Sequence, residues 1–166
     1  MKHQFHRVVT LALGLTLAAG SALAVPADRQ EKEEKASVPA QGKVALTIKN
    51  ARGRTVVVGR PEATTVSIVA MKTAVGRDTE EASEMLARIK MDVSESGDEV
   101  ILETRDGNKY EDWGWSVMSV VKGNRRTAWI DYTIEVPVSY RVSASTTSGE
   151  VRISNINGRA DVDAPS

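Results

Sequence analysis

The chain contains no cysteine, and both of its histidines, His3 and His6, lie within the first seven residues. Without cysteine no disulfide can form, so stability has to come from packing and backbone hydrogen bonding. Beyond residue 7, the lack of both His and Cys excludes Ser-His-Asp and Cys-His catalysis and zinc sites of ordinary composition. An enzyme built from this chain would have to use carboxylates, Lys, Arg or Tyr. Neither sign of charge dominates, with 22 basic and 22 acidic residues, so there is no electrostatic footprint for nucleic acid or an anionic membrane. Apolar runs are short, and past the N-terminus none reaches the length that spans a bilayer.

What is present begins with an export signal. Lys2 and Arg7 give a basic start, residues 8–19 form a short apolar run, and Ala22-Leu23-Ala24 is a small-x-small cleavage site. This three-part pattern predicts a signal peptide over 1–24, cut after Ala24. The expected destination is the periplasm, the cell surface or the medium. A lipoprotein anchor is excluded, because it needs a processed cysteine. Loss of Lys2 and Arg7 leaves twenty basic residues against 22 acidic ones. The remaining chain of about 140 residues is long enough for one domain with a core.

Residues 25–41 read as a charged flexible linker. Asp28, Arg29, Glu31, Lys32, Glu33, Glu34 and Lys35 crowd together between Pro26 and Pro39, the composition of a solvated tether. From residue 42 to 166 the pattern becomes that of a β domain. Alternation predicts strands over 43–49 (Val44, Leu46 and Ile48 on one face), 55–58, 65–73 (Val66, Ile68, Ala70) and 129–136 (Ile130, Tyr132, Ile134, Val136). Asn50-Ala51-Arg52-Gly53 reads as a turn. A helix is predicted over 78–90, capped by Asp78 with Glu81 reaching back; Ala82, Met85, Leu86 and Ile89 form its apolar stripe. Ser96-Gly97-Asp98 predicts a hairpin between strands near 91–93 and 99–104.

The C-terminal part repeats itself. Val142-x-Ala144 leads to Ser148-Gly149; eighteen residues on, Ala160-x-Val162 leads to Ser166. Gly149 and Gly158 mark the half step, and each opens a short alternating stretch. A bend and a strand recurring at fixed spacing predict a mainly β, solenoid or β-helix-like domain of stacked short strands with one amphipathic helix. The chain stops where the next Gly would fall. The expectation is therefore a truncated stack with an open C-terminal edge that invites self-association.

Few residues suggest chemistry. Tyr110, Trp113 and Trp115 lie in an irregular stretch and make a candidate ligand or partner surface. The competing reading is a plug over one side or end of the sheet, and it is the preferred one. Glu111 or Asp112 with Asp131 is a conceivable carboxylate pair for a polysaccharide-cleaving enzyme. Asp161 and Asp163 share one strand face without the oxygen set that calcium needs, and Ser145 to Ser148 read as a turn. No catalytic, metal or cofactor residues are expected.

Taken in order, these motifs resemble a family. They are Val44-x-Leu46-x-Ile48, Gly53-x-Thr55-Val56-Val57-Val58-Gly59, Val66-x-Ile68-x-Ala70-x-Lys72, Glu80-Glu81-Ala82, Gly97-Asp98-x-Val100, Tyr132-x-Ile134-x-Val136-Pro137 and Ser148-Gly149-Glu150-Val151. The chain is similar over 42–166 to the bacterial DUF4097 family of adhesin-like β-solenoid domains. The resemblance implies an exported β-helical domain and carries no catalytic residues with it. The function expected is a non-enzymatic envelope or surface protein acting through protein or glycan contacts. A structural or regulatory envelope stress protein and a polysaccharide-active β-helix enzyme are the alternatives.

Overall fold

The computed structural model describes residues 28–106 and 127–164. The described chain is mainly β, with one helix. In order it runs β1 (Arg29–Pro39), β2 (Ala45–Arg52), β3 (Thr55–Arg60), β4 (Thr65–Val75), α1 (Thr79–Arg88), β5 (Ile89–Ser96), β6 (Glu99–Asp106), β7 (Thr127–Pro137), β8 (Arg141–Ser148), β9 (Val151–Ser154) and β10 (Ala160–Asp163). The strands form two five-stranded sheets, ordered β1-β4-β7-β3-β9 and β5-β6-β2-β8-β10. Each sheet is mixed, and neither closes on itself.

The alternation read from the sequence sets the packing. Leu46 and Ile48 of β2, Val66, Ile68 and Ala70 of β4, and Val100 and Leu102 of β6 are all buried, as are Ile130, Tyr132, Ile134 and Val136 of β7. They belong to one core with Val142 and Ala144 of β8. Each buried Val, Leu or Ile among them stabilises the fold by roughly 1.5–3 kcal/mol relative to exposure. Val44 lies one residue before β2 and stays 44% exposed. Its backbone is used instead: Val44 N–H donates to Asp98 O, and Val44 O accepts from Arg141 N–H.

The central strands pair in parallel. β2 lies between β6 and β8, β3 lies between β7 and β9, and β10 follows β8. The eighteen-residue step is a real register, since Ala160 sits opposite Val142 and Val162 opposite Ala144. The passages from β2 to β3 and from β8 to β9 stack on one another. Gly53 N–H donates to Ser148 O at 3.1 Å and Thr55 N–H to Glu150 O at 2.7 Å. Gly53 has φ +114, and a Cβ there would lie 2.2 Å from Ile130 O; at Gly149 a Cβ would lie 2.0 Å from Gly53 O. Only a residue without Cβ lets these backbones approach so closely.

Several expectations are corrected. Residues 29–39 form β1, paired antiparallel along its whole length with β4, in place of a flexible linker. Ala36 and Val38 turn toward the core on one face, while Glu31, Glu33 and Lys35 stay in solvent on the other. Parallel pairing is confined to β6, β2, β8 and β10 in one sheet and to β7, β3 and β9 in the other. β1–β4, β4–β7 and β5–β6 are antiparallel, so the architecture is a pair of mixed sheets, and an uninterrupted stack of short strands is not what forms. Of the predicted turn at 50–53, residues 50–52 are the last of β2 and only Gly53 lies outside it, and the predicted turn at 145–148 is the end of β8. α1 ends at Arg88, because Ile89 takes an extended conformation and starts β5 as a buried residue.

The helix start agrees with the sequence reading. Asp78 accepts from Glu81 N–H at 2.9 Å, and Glu81 reaches back to Arg77 N–H at 2.7 Å. α1 packs Ala82 and Met85 inward, against the ends of β1 and β4. The hairpin also agrees: Ser96 pairs with Glu99 across Gly97-Asp98, and Gly97 has φ +58.

Candidate functional site

In the parallel ladder of β6, β2, β8 and β10, the first three strands have one face toward the core and one toward solvent, and β10 is exposed on both. Because their registers match, outward residues from distant parts of the chain fall into straight rows. One row across the whole sheet is Asp92, Glu103, Lys49, Ser145 and Asp163; another is Ser94, Ile101, Thr47, Ser143 and Asp161. Neighbouring strands lie about 4.8 Å apart, which sets the spacing along each row. The surface is rich in hydroxyls and in charges of both signs. Arg105 bonds Asp92 at 3.0 Å and Glu103 at 3.1 Å, which fixes those two carboxylates. Thr47 donates to the Glu99 carboxylate. Lys49 has no ion-pair partner among the described residues.

The outer face of the other sheet differs. Val56, Val58, Val69, Met71 and Trp129 are half-buried there. Trp129 donates through Nε1 to Asp131 at 3.2 Å, and Arg29 lies over its ring with the guanidinium carbon 5.9 Å from the centroid.

Under the row of Lys49 runs a buried polar network. Asn50 is only 1% exposed. Its amide donates to Ile130 O at 3.0 Å and to Thr55 Oγ1 at 3.2 Å, and its Oδ1 accepts from Thr104 Oγ1 at 3.0 Å. The Thr104 proton is thus committed to Asn50, so Tyr132 is the donor in its 2.9 Å bond to Thr104 Oγ1. Burial pushes the Tyr132 phenol up to about 12, with the Thr104 bond opposing and the Glu34 charge adding to the rise. Thr146, beside Asn50 on β8, is buried with no hydrogen-bond partner for its hydroxyl among the described residues. This network is structural: each bond answers a group that burial has taken from water.

A charged group is buried behind β1. Lys72 faces inward from β4 and is 4% exposed. Its ammonium is 2.8 Å from Glu34 Oε1, and Lys32 lies 3.6 Å from the same oxygen.

Among the described residues, those picked out by the sequence are not brought together into a catalytic centre. Tyr110, Trp113 and Trp115, with Glu111 and Asp112, lie outside the described residues. Asp131 accepts from Arg54 N–H at 2.7 Å as well as from Trp129, so its carboxylate is engaged in holding a strand passage. Asp161 and Asp163 are both exposed, and Asp161 pairs with Arg159 at 2.7 Å. Among the described residues no group of three or more His, Cys, Asp or Glu could hold a metal ion, and no helix is long and apolar enough to cross a membrane. Sequence reasoning missed Asn50, Thr104 and Lys72. Asn50 sits in a turn-like tetrapeptide, and only the pairing of β2 with its neighbours reveals that it is interior. Lys72 had a signal: it continues the inward alternation of Val66, Ile68 and Ala70.

No family model matches the chain, and no curated protein matches it. A solved structure from Clostridium sporogenes ATCC 15579, of a putative cell adhesion protein, is similar with a TM-score of 0.49 and 15% identity. The similarity covers 81% of this chain and 57% of that one, so the chain spans a little over half the length of that protein.

Proposed function

We propose that this is an exported, non-enzymatic protein of the cell envelope or surface. It acts by binding a protein or a glycan through the outer faces of a short solenoid-like, adhesin-like domain. The observation that supports this reading is the in-register parallel pairing of β6, β2, β8 and β10. Three strand pairs, β6–β7, β2–β3 and β8–β9, follow one another across the two sheets, and β10 starts a fourth. Such stacking holds outward side chains in fixed rows, and a surface ordered before contact loses less entropy on binding. The engagement of Asp131 with Arg54 and Trp129 favours binding over carboxylate chemistry.

Two measurements test the proposal. The intact mass of the protein recovered from the envelope fraction should correspond to a chain beginning at Val25; a chain retaining Met1 in the cytoplasm would sink the export reading. Labelled, purified protein should bind isolated envelopes saturably. Binding that rises linearly without saturation would sink the interaction reading.

A further inference from the structure

On the solvent side of the β6-β2-β8-β10 ladder lies a shallow cleft of about 310 Å³. It exists because Ala51, next in line after Lys49 on the outward face of β2, is short, whereas its surroundings are not. Lys49, Glu103, Ser145, Thr147 and Asp163 stand around it. These five residues come from four strands and converge only through the register Glu103–Lys49–Ser145–Asp163. The cleft lies in the C-terminal halves of β2 and β8 and at the end of β10.

The chemistry of the lining narrows the ligand. One ammonium, two carboxylates and two hydroxyls offer donors and acceptors side by side. Glu103 is already oriented by Arg105 at 3.1 Å, whereas Lys49 and Asp163 have no ion pair among the described residues. Charges of both signs within one cleft do not select an anion or a cation. They do suit a neutral ligand dense in hydroxyls, since a carboxylate accepts from two hydroxyls and an ammonium donates to several. The row advances by about 4.8 Å per strand, close to the length of one pyranose unit in an extended chain. We infer that this cleft binds a neutral oligosaccharide laid across β6, β2, β8 and β10, with Glu103, Lys49, Ser145 and Asp163 meeting successive sugars. This inference rests on the binding function proposed above and assigns it a site and a ligand class.

The test is calorimetric titration of the purified chain with xylohexaose and with N-acetylchitohexaose, using hexagalacturonate as the anionic comparison. At least one neutral hexamer should bind, and hexagalacturonate should not compete. Lys49→Ala and Asp163→Asn should each weaken binding about tenfold. Ala51→Gln should abolish it by filling the cleft, with the thermal unfolding midpoint unchanged because residue 51 is exposed. The inference is overturned by no binding of either neutral hexamer, by binding that Ala51→Gln leaves intact, or by salt-sensitive binding of hexagalacturonate alone. The same Ala51→Gln protein applied to isolated envelopes separates the two proposals. Saturable envelope binding that survives the substitution keeps the broader function and removes this site. Hexamer binding without any envelope binding does the reverse.

Discussion

The two ends of the paired sheets protect their backbone edges in different ways. One end is finished by β1, β4, β5 and α1, all added antiparallel or across the end. Its outer strand in the first sheet, β1, is eleven residues long and carries Arg29, Glu31, Lys32, Glu33, Glu34 and Lys35 before reaching Pro39. Charge and proline discourage a further strand from pairing with it. At the other end the outermost described strands, β9 and β10, are four residues each, and Val162 of β10 is 52% exposed. There, brevity limits the edge. A long edge strand therefore needs polar side chains, whereas a short one can tolerate an apolar residue. β7 and β6 are the seams, each parallel to one neighbour and antiparallel to the other.

This contrast can be broken at either end. The parallel part depends on backbone closeness, so Gly53→Ala should be the most damaging single change. Its Cβ would meet Ile130 O at 2.2 Å, and φ is +114. A loss of about 3 kcal/mol or more is expected from the clash and the unfavourable φ together. Gly42→Ala, with φ +75 and nothing within 4 Å, should cost only about 1 kcal/mol. Urea unfolding of the two variants gives the comparison, and equal losses would mean that corner stacking is not what the parallel part needs.

The antiparallel part depends on a charge pair behind β1. Glu34→Gln leaves Lys72 buried without its counter-ion and should cost about 2–4 kcal/mol. The double change Glu34→Met with Lys72→Met should recover most of that, because two apolar groups leave no unpaired charge. A double variant no more stable than the single one would show that the pair does more than answer its own burial.

At the β7 seam the signal is pH. The phenol of Tyr132 is raised from 10.0 to about 12 in the fold. Above pH 10 the unfolded chain gives up this proton while the folded chain keeps it. Stability is therefore fully present below pH 10 and falls as pH rises toward 12, by about 2–3 kcal/mol. Tyr132→Phe should flatten that decline, at the cost of about 1 kcal/mol from the lost bond to Thr104. The slope of unfolding free energy against pH for the two proteins decides it. The mildest change is Asp78→Ala, which removes the N-cap of α1 and should cost about 1 kcal/mol. Helix loss without any change in the β signal by circular dichroism would place α1 outside the cooperative unit.

The two ends also differ in how well they can be read from sequence. The parallel part is written as a period. Val142 and Ala144 recur as Ala160 and Val162 at the distance that pairs them, and the corner residues have to be Gly because backbone meets backbone there. β1 has no such signature. Its partly covered positions are Gln30, Glu34 and Ala36, and only Val38 is a clear core residue. Its hold on the fold comes from the complete ladder with β4 and from Lys72, 38 residues away from Glu34. The cleft at Ala51 was equally hidden. Lys49, Glu103, Ser145 and Asp163 are unremarkable singly, and only the register between non-consecutive strands makes them neighbours.

The strand order bears on how such a chain acquires its structure. β2 and β3 are early in the sequence yet flanked on both sides in their sheets. Ala45 must find Glu99, 54 residues later, on one side and Arg141, 96 residues later, on the other. A chain emerging N-terminus first therefore leaves β2 with both edges bare until β6 is released, and β3 with both edges bare until β7 is. Contacts so distant in sequence make folding slow and expose the waiting strands to wrong pairing. β1–β4 and β5–β6 can pair early, but the sheets are completed only when β9 and β10 are free, which ties the end of folding to release of the last strands.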